Sequence, residues 1–279
     1  MSQQEHQLFH HWASCRLPAP PCELSPTKQR IFDDLLSQSA LQRNGGVIDY
    51  TCAYPKHEFL RYVVESHGLL LHGSRNLTLP ALDPIRNSGD TFAFGQQAAV
   101  YAASDGIWPI CFAVLDRQVY RGAFCNECSR VELDGQQSEP FYMFALDAEG
   151  LQRHPWTDGM IYLLPRASFV PRPPDLIDGL TVYCQEWASI TSVQPVAKLP
   201  VSPADFPFLH DIWGFDKQVL FDRMGTYPDL WPWGDLSDTT LYPIRPRSWQ
   251  PGTAHELSTV FRSRESLPST KQDPEDGSA

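Results

Sequence analysis

The chain has 279 residues, of which 42% are apolar and 20% charged, and its formal net charge is −11. Eight Trp and fifteen Phe argue against a mostly disordered chain, and 25 Pro argue against a helical bundle. The acidic balance repels nucleic acid on average and argues against a non-specific DNA or RNA binder.

Targeting signals and cysteine usage bear on the compartment. No apolar run approaches the roughly 18–20 residues that a membrane span needs. The polar start Met1–His6 does not resemble a secretory signal. Seven cysteines without regular spacing are typical of a reducing compartment. We therefore expect a cytoplasmic protein without a membrane partner.

Composition predicts three regions. Residues 1–24 read as an irregular lead-in, in which Leu8, Phe9 and Trp12 form at most one helical turn before a group of prolines. Residues 25–262 read as a single domain. Residues 263–279 are rich in Ser, Pro, Asp, Glu, Gly and Lys, and we expect a disordered tail there.

Helix signals concentrate in the first half of the chain. Ser25-Pro26 opens an amphipathic helix that Asn44-Gly45-Gly46 ends, and a second helix begins at Pro55 and stops at Gly68. Asp105 is a candidate cap for a helix over residues 106–115, although a strand over Ile110–Leu115 stays open. Short helical stretches are predicted at Ser202-Pro203 and over Gln218–Met224.

Two strand signals lie in the first half of the chain, and the others lie after residue 130. Apolar runs bounded by turn residues predict strands over Val47–Cys52, Leu69–His72, Val131–Leu133, Phe141–Leu146, Met160–Leu164, Leu180–Glu186 and Pro195–Leu199. Residues 76–92 read as a loop, Ala98–Ala103 as a short apolar segment, and the aromatic, proline-rich Tyr227–Trp233 as a packed irregular segment.

One pair of segments points to chemistry. The apolar run Leu69-Leu70-Leu71 leads directly into His72-Gly73-Ser74-Arg75, and Phe94-Gly95 then precedes Tyr101-Ala102-Ala103. A buried strand that ends in polar residues is a common ligand site. Over residues 55–200 this pattern resembles the poly(ADP-ribose) polymerase-like, His-Tyr-Glu branch of the ADP-ribosyltransferase superfamily. The gap between Phe-Gly and Tyr101 is longer than the family usually shows.

The resemblance implies NAD as co-substrate and assigns roles to the matching residues. His72, with help from Ser74, would hydrogen-bond the adenosine ribose, and the Gly73 backbone would hold the nicotinamide amide. Tyr101 would stack on the nicotinamide ring. The remaining pocket residues implied near the site are Arg75, Ser104 and Trp108.

The family also carries a catalytic Glu on a later strand. Glu186 is the first candidate, because the alternating run Thr181–Gln185 leads up to it and another strand follows. Its context is Gln185-Glu186-Trp187, where the family has Asn-Glu-Tyr. Glu132 in Arg130-Val131-Glu132-Leu133 is the alternative. The carboxylate would contact the nicotinamide ribose hydroxyls and favour the developing positive charge.

Other chemical signatures are weaker. Cys125-x-x-Cys128 lacks a second close pair of ligands, so we interpret it as two reduced thiols on a loop and expect no metal. The N-terminal histidines His6, His10 and His11 read as solvated. The chain has no nucleophile elbow, P-loop, dinucleotide fingerprint or zinc-protease motif.

The resemblance implies an α+β fold in which split, bent antiparallel sheets with flanking helices surround an NAD cleft. It implies release of nicotinamide and transfer of a single ADP-ribose to an unidentified acceptor, protein or nucleic acid. Three alternatives stay open: an NAD glycohydrolase of the same fold, a non-catalytic module that binds NAD or ADP-ribose, and a nucleic-acid modifier of the same superfamily.

Overall fold

A computed structural model describes residues 3–14, 16–40, 45–85, 93–177, 179–226 and 239–244. The chain folds as an α+β protein with two mainly antiparallel sheets. The helices are α1 Gln3–Ser14, α2 Pro26–Ala40, α3 Lys56–His67, α4 Trp108–Val114, α5 Ala148–Gln152 and α6 Lys217–Thr226. Short 3-10 helices cover Ala93–Gln96, Arg166–Ser168 and Pro203–Asp205. The strands are β1 Leu17–Pro18, β2 Leu70–Ser74, β3 Val100–Ala103, β4 Phe124–Leu133, β5 Gln136–Gln137, β6 Phe141–Asp147, β7 Gly159–Leu164, β8 Val170–Pro171, β9 Asp175–Ile177, β10 Leu180–Cys184, β11 Glu186–Ser189, β12 Ala197–Val201 and β13 Trp213–Phe215.

The strands of the two sheets are interleaved along the chain. The first has the order β1-β6-β4-β10-β9, with β5 paired to β4 and β13 running parallel to β6. The second has the order β12-β7-β2-β3-β11-β8. Strands that follow one another in sequence can therefore lie in different sheets. Strand β10 is in the first sheet and β11 is in the second.

The main core holds apolar side chains from both sheets together with α2, α3 and α4. Helix α4 lies close to the backbone of β2 and β7, because both strands present glycine to it. A Cβ on Gly73 would lie 1.9 Å from the Pro109 carbonyl oxygen, and one on Gly159 would lie 2.1 Å from that of Ala113. Glycine at these two positions is what allows the close approach.

The amino-terminal segment is more ordered than its sequence predicts. The expected lead-in with at most one helical turn is wrong for residues 3–14, which form the helix α1. Phe9 and Trp12 are buried, and both pack edge-on against Phe141 at centroid distances of 5.9 and 5.3 Å. Two large aromatic anchors stabilise a helix whose local sequence signal is weak.

Most predicted elements are present with shifted ends. Gly68 caps α3 in the left-handed conformation (φ 64°), as its sequence predicts. The segment after Asp105 forms the helix α4 and not the strand, with Ile107 at its N-cap position. Asp105, two residues before the N-cap, accepts hydrogen bonds from the backbone N–H groups of Ile107 (2.8 Å) and Trp108 (2.7 Å). The strand predicted over Val47–Cys52 is wrong, because that segment makes only the isolated bridge Val47↔Lys198.

Two further predictions need correction. The single strand predicted over Leu180–Glu186 is two strands, β10 and β11, which separate at Gln185. Cys125 and Cys128 lie on the ten-residue strand β4 and not on a loop. The segments 227–233 and 263–279 lie outside the described residues. No helix in the described ranges is long and apolar enough to cross a bilayer.

Candidate active site at the junction of the two sheets

Gln185 is the point at which the chain passes from one sheet to the other. Its N–H donates to the Cys128 carbonyl of β4 (2.9 Å), and its carbonyl accepts from the Ser104 N–H at the end of β3 (3.0 Å). One residue thus bonds both sheets, and the next residue, Glu186, begins β11. The junction fixes the start of β11 beside the end of β3.

The strands β2, β3 and β11 are consecutive in the second sheet, and each carries one of the three predicted catalytic residues. His72 lies on β2, Tyr101 on β3 and Glu186 at the first position of β11. The register pairs Glu186 with Ala103 and Ala188 with Tyr101. Three residues far apart in sequence therefore lie on adjacent strands.

The ladder between β2 and β3 is short. Among the described residues its register consists of Leu71↔Ala103 alone, whereas β2 pairs with β7 from Leu70 to Ser74. Beyond Leu71 a side chain makes the contact between the two strands: the His72 Nδ1 lies 2.7 Å from the Tyr101 carbonyl oxygen. The two strands part at the His-Gly pair.

This contact fixes the tautomer of His72. A carbonyl oxygen only accepts, so Nδ1 must carry a proton. Burial of the ring lowers the pKa of His72 from 6.5, although the bond to the Tyr101 carbonyl opposes the shift. At neutral pH the ring is therefore uncharged, and its Nε2 is a hydrogen-bond acceptor.

Tyr101 connects β3 to the segment that precedes it. Its hydroxyl lies 3.0 Å from the Phe94 carbonyl and 2.9 Å from the Gln97 carbonyl, and its ring meets that of Phe94 edge-on at 6.4 Å. The Phe-Gly segment and Tyr101, recognised as separate pieces of one sequence pattern, are in contact. The hydroxyl holds the 3-10 helix Ala93–Gln96 against the strand.

Glu186 is partly buried and paired with a cation. Its Oε2 lies 3.6 Å from Nη1 of Arg172, and the two side chains are 16% and 9% exposed. Arg172 was not predicted from the sequence as a site residue. The only local signal is its place between prolines, in Val170-Pro171-Arg172-Pro173-Pro174.

The pleat distributes the three predicted residues over both faces of the sheet. Side chains alternate along a strand and paired residues share a face. The register therefore puts Glu186, Ala103 and Tyr101 on the face that contributes to the main core. His72 follows Leu71 and lies on the opposite face, with Leu70 and Tyr162. The His72 ring contacts Tyr101 through the backbone carbonyl of that residue.

The remaining residues of the His-Gly segment make local contacts. Gly73 faces α4, as described above. The Ser74 hydroxyl accepts from the Asn76 N–H (3.1 Å) in the turn after β2. The Arg75 guanidinium pairs with Asp116 beyond the end of α4 (2.5 Å) and so ties the tip of β2 to that helix. The Ser74 and Arg75 side chains thus stabilise the turn.

Ser104 and Trp108 lie in different surroundings. The Ser104 hydroxyl donates to Oε1 of Gln185 (3.1 Å), next to Glu186 in the chain. Trp108 is 6% exposed in the main core, and its Nε1 donates to Oδ1 of Asn126 (2.7 Å). Ser104 belongs to the junction, whereas Trp108 contributes to the core beneath it.

The alternative carboxylate lies in the other sheet. Glu132 is on β4 opposite Thr181, and its Oε2 accepts from the Tyr183 hydroxyl (2.8 Å). Cys125 and Cys128, three positions apart on the same strand, belong to different apolar clusters. Within the described part of the chain, no three His, Cys, Asp or Glu side chains group as metal ligands.

A cavity of about 320 Å³ lies elsewhere, between the segment 118–122, the start of α5 and Lys217. Its lining is open and charged, and includes Arg121, Glu149 and Arg153. None of the predicted site residues lines it.

Comparisons with known proteins give no family for the chain. No protein-family model matches it, no curated protein matches its sequence, and no solved structure matches its fold.

Proposed function

We propose that the chain is an NAD-dependent ADP-ribosyltransferase with the split-sheet fold of that superfamily, which transfers a single ADP-ribose. One observation carries the proposal: the His, Tyr and Glu picked out by the sequence pattern occupy three consecutive strands at the place where β2 and β3 part. The residues are far apart in the sequence, and nothing in the sequence pattern requires their strands to be adjacent.

The chemistry of the site residues agrees with this role. The neutral His72 presents Nε2 as an acceptor, which suits a ribose hydroxyl as donor. Beyond Leu71 neither His72 nor Gly73 is in the ladder register with β3. Because successive residues of a strand direct their backbone groups to alternate edges, one of the two has its N–H and C=O on the edge that faces β3. Backbone N–H and C=O groups of one residue can hold both ends of a carboxamide such as nicotinamide.

The reaction breaks the bond between nicotinamide and ribose. The bonding pair leaves with neutral nicotinamide, and positive charge develops on the ribosyl ring. The Glu186 carboxylate would stabilise that charge and accept a hydrogen bond from a ribose hydroxyl. An acceptor nucleophile then bonds to the ribosyl carbon and loses its proton. With water as the acceptor, the same steps are NAD hydrolysis.

A second candidate is a non-catalytic module that binds NAD or ADP-ribose. Two observations favour it: the Glu186 carboxylate is paired with Arg172, and the pleat puts His72 on the face opposite to Tyr101 and Glu186. Such a protein would keep the split between the strands as a binding site without turning NAD over.

The test incubates the protein with NAD labelled in the ADP-ribose part, together with an extract of proteins and RNA as acceptors. Free nicotinamide and macromolecular label are both measured. The proposal predicts release and labelling, both reduced to a small residual rate in Glu186→Gln and kept in Glu132→Gln. Release without label indicates the glycohydrolase, and NAD binding without release indicates the non-catalytic module. Absence of NAD binding contradicts the proposal.

A further inference from the structure

Arg172 contacts residue 186 at two points. The backbone N–H of Arg172 donates to the Glu186 carbonyl (2.9 Å), and its Nη1 lies 3.6 Å from Oε2 of the same residue. One residue therefore holds both the backbone and the carboxylate of Glu186. The 3.6 Å contact is an ion pair and not a hydrogen bond.

The segment that carries Arg172 follows the same path between the sheets as the strand that carries Glu186. Strand β8 pairs with β11 in the second sheet, and β9 pairs with β10 in the first. Residues 172–174 connect β8 to β9 alongside the junction at Gln185. Proline at positions 171, 173 and 174 fixes the backbone on both sides of Arg172 and stiffens this connection.

Asp175 fixes the guanidinium from the other side. Its Oδ2 accepts from Nη2 of Arg172 at 2.9 Å, a closer contact than the one to Glu186. The Arg172 side chain is 9% exposed, and a cation this buried is costly unless it is paired. Asp175 thus anchors the guanidinium, which in turn holds the Glu186 carboxylate by the longer contact.

We propose that Arg172 is a positioning residue for Glu186, and that Asp175 anchors it. Arg172 acts through the carboxylate, which it holds at the start of β11 next to the end of β3. The proposal rests on the proposed function, because it assigns Glu186 the catalytic role. A misplacement of about 1 Å in such a site can lower turnover about 100-fold.

The test measures kcat and KM for nicotinamide release by Arg172→Gln, Arg172→Lys and Asp175→Asn. Arg130→Gln is the matched control, since that arginine donates to the Ser138 carbonyl from the neighbouring strand β4. We expect Arg172→Gln to lower kcat at least about tenfold with little change in KM. Arg172→Lys should restore part of kcat, Asp175→Asn should lower it about threefold, and the control should match wild type.

A double variant separates positioning from direct action. In the Glu186→Gln background, Arg172→Gln should lower kcat no further, because the group through which Arg172 acts is gone. An unchanged kcat in Arg172→Gln, an effect on KM alone, or a further loss in the double variant would overturn the inference. If Arg172→Gln does not fold, Asp175→Asn decides, and an unchanged kcat there refutes the inference. Inactive wild-type protein would instead refute the proposed function.

Discussion

Replacing Gly73 with alanine tests the packing around the His-Gly segment. The new Cβ would lie 1.9 Å from the Pro109 carbonyl oxygen, 2.9 Å from its carbonyl carbon and 3.0 Å from the Ala113 nitrogen. All three atoms are backbone, so α4 or β2 must move by about 1 Å to relieve the contact. The interior around them is densely packed and resists such a movement. Gly73 therefore has a structural reason to be glycine, whatever its backbone binds.

The cost follows from that geometry. Overpacking a core costs about 1–3 kcal/mol, and a clash with backbone belongs at the upper end, so we expect a loss of about 3 kcal/mol in the free energy of unfolding. For a chain of this size that corresponds to a fall of about 6–12 °C in Tm. Gly159→Ala, whose Cβ would lie 2.1 Å from the Ala113 carbonyl oxygen, should behave alike.

Calorimetry of the purified variants measures the fall in Tm. Gly135→Ala is the control, because its Cβ meets nothing within 4 Å and the only cost is its left-handed backbone (φ 72°), about 1 kcal/mol. If Gly73→Ala and Gly159→Ala melt with this control or above it, α4 does not lie against the two strands as described.

Two further predictions concern titratable groups. Burial lowers the pKa of His72 below 6.5, so the unfolded chain binds more protons and the free energy of unfolding should fall as the pH drops below that value. Burial lowers the pKa of His57 as well, so His72→Gln should flatten the decline in urea titrations without removing it, and an unchanged decline contradicts the assignment. Burial raises the pKa of the Cys111, Cys125 and Cys128 thiols. All three should react slowly with a disulfide reagent in the native protein and fully in guanidinium chloride. Fast native labelling of Cys125 or Cys128, located by mass spectrometry, contradicts their burial.

The local elements were predictable where the sequence carries a local cause. Gly68 ends α3 because glycine adopts the left-handed conformation. Asp105 lies just before α4, and its carboxylate accepts from two N–H groups at the start of that helix. The apolar run Leu69-Leu70-Leu71 before His72 likewise predicts a buried strand, and β2 begins within it. Each of these signals lies within a few residues of its effect.

The misses arise from contacts between distant segments. Helix α1 is stabilised by Phe141, which is more than a hundred residues away, and its own sequence gives little sign of this. The pairing of Arg172 with Glu186 depends on how two connections between the sheets run side by side. Nothing in the spacing of those two residues indicates it. The Val47–Cys52 run has the composition of a strand, but it makes only the isolated bridge Val47↔Lys198 to β12 of the second sheet.

The central claim is that NAD binds where β2 and β3 part, with His72 as an acceptor. Titration calorimetry with a carbocyclic NAD analogue, which cannot be cleaved, tests it without the need for an acceptor. His72→Ala is compared with His210→Ala, a change at an exposed histidine. The account predicts binding by wild type and His210→Ala and its loss in His72→Ala. Equal binding by all three proteins, or binding by none, would contradict it.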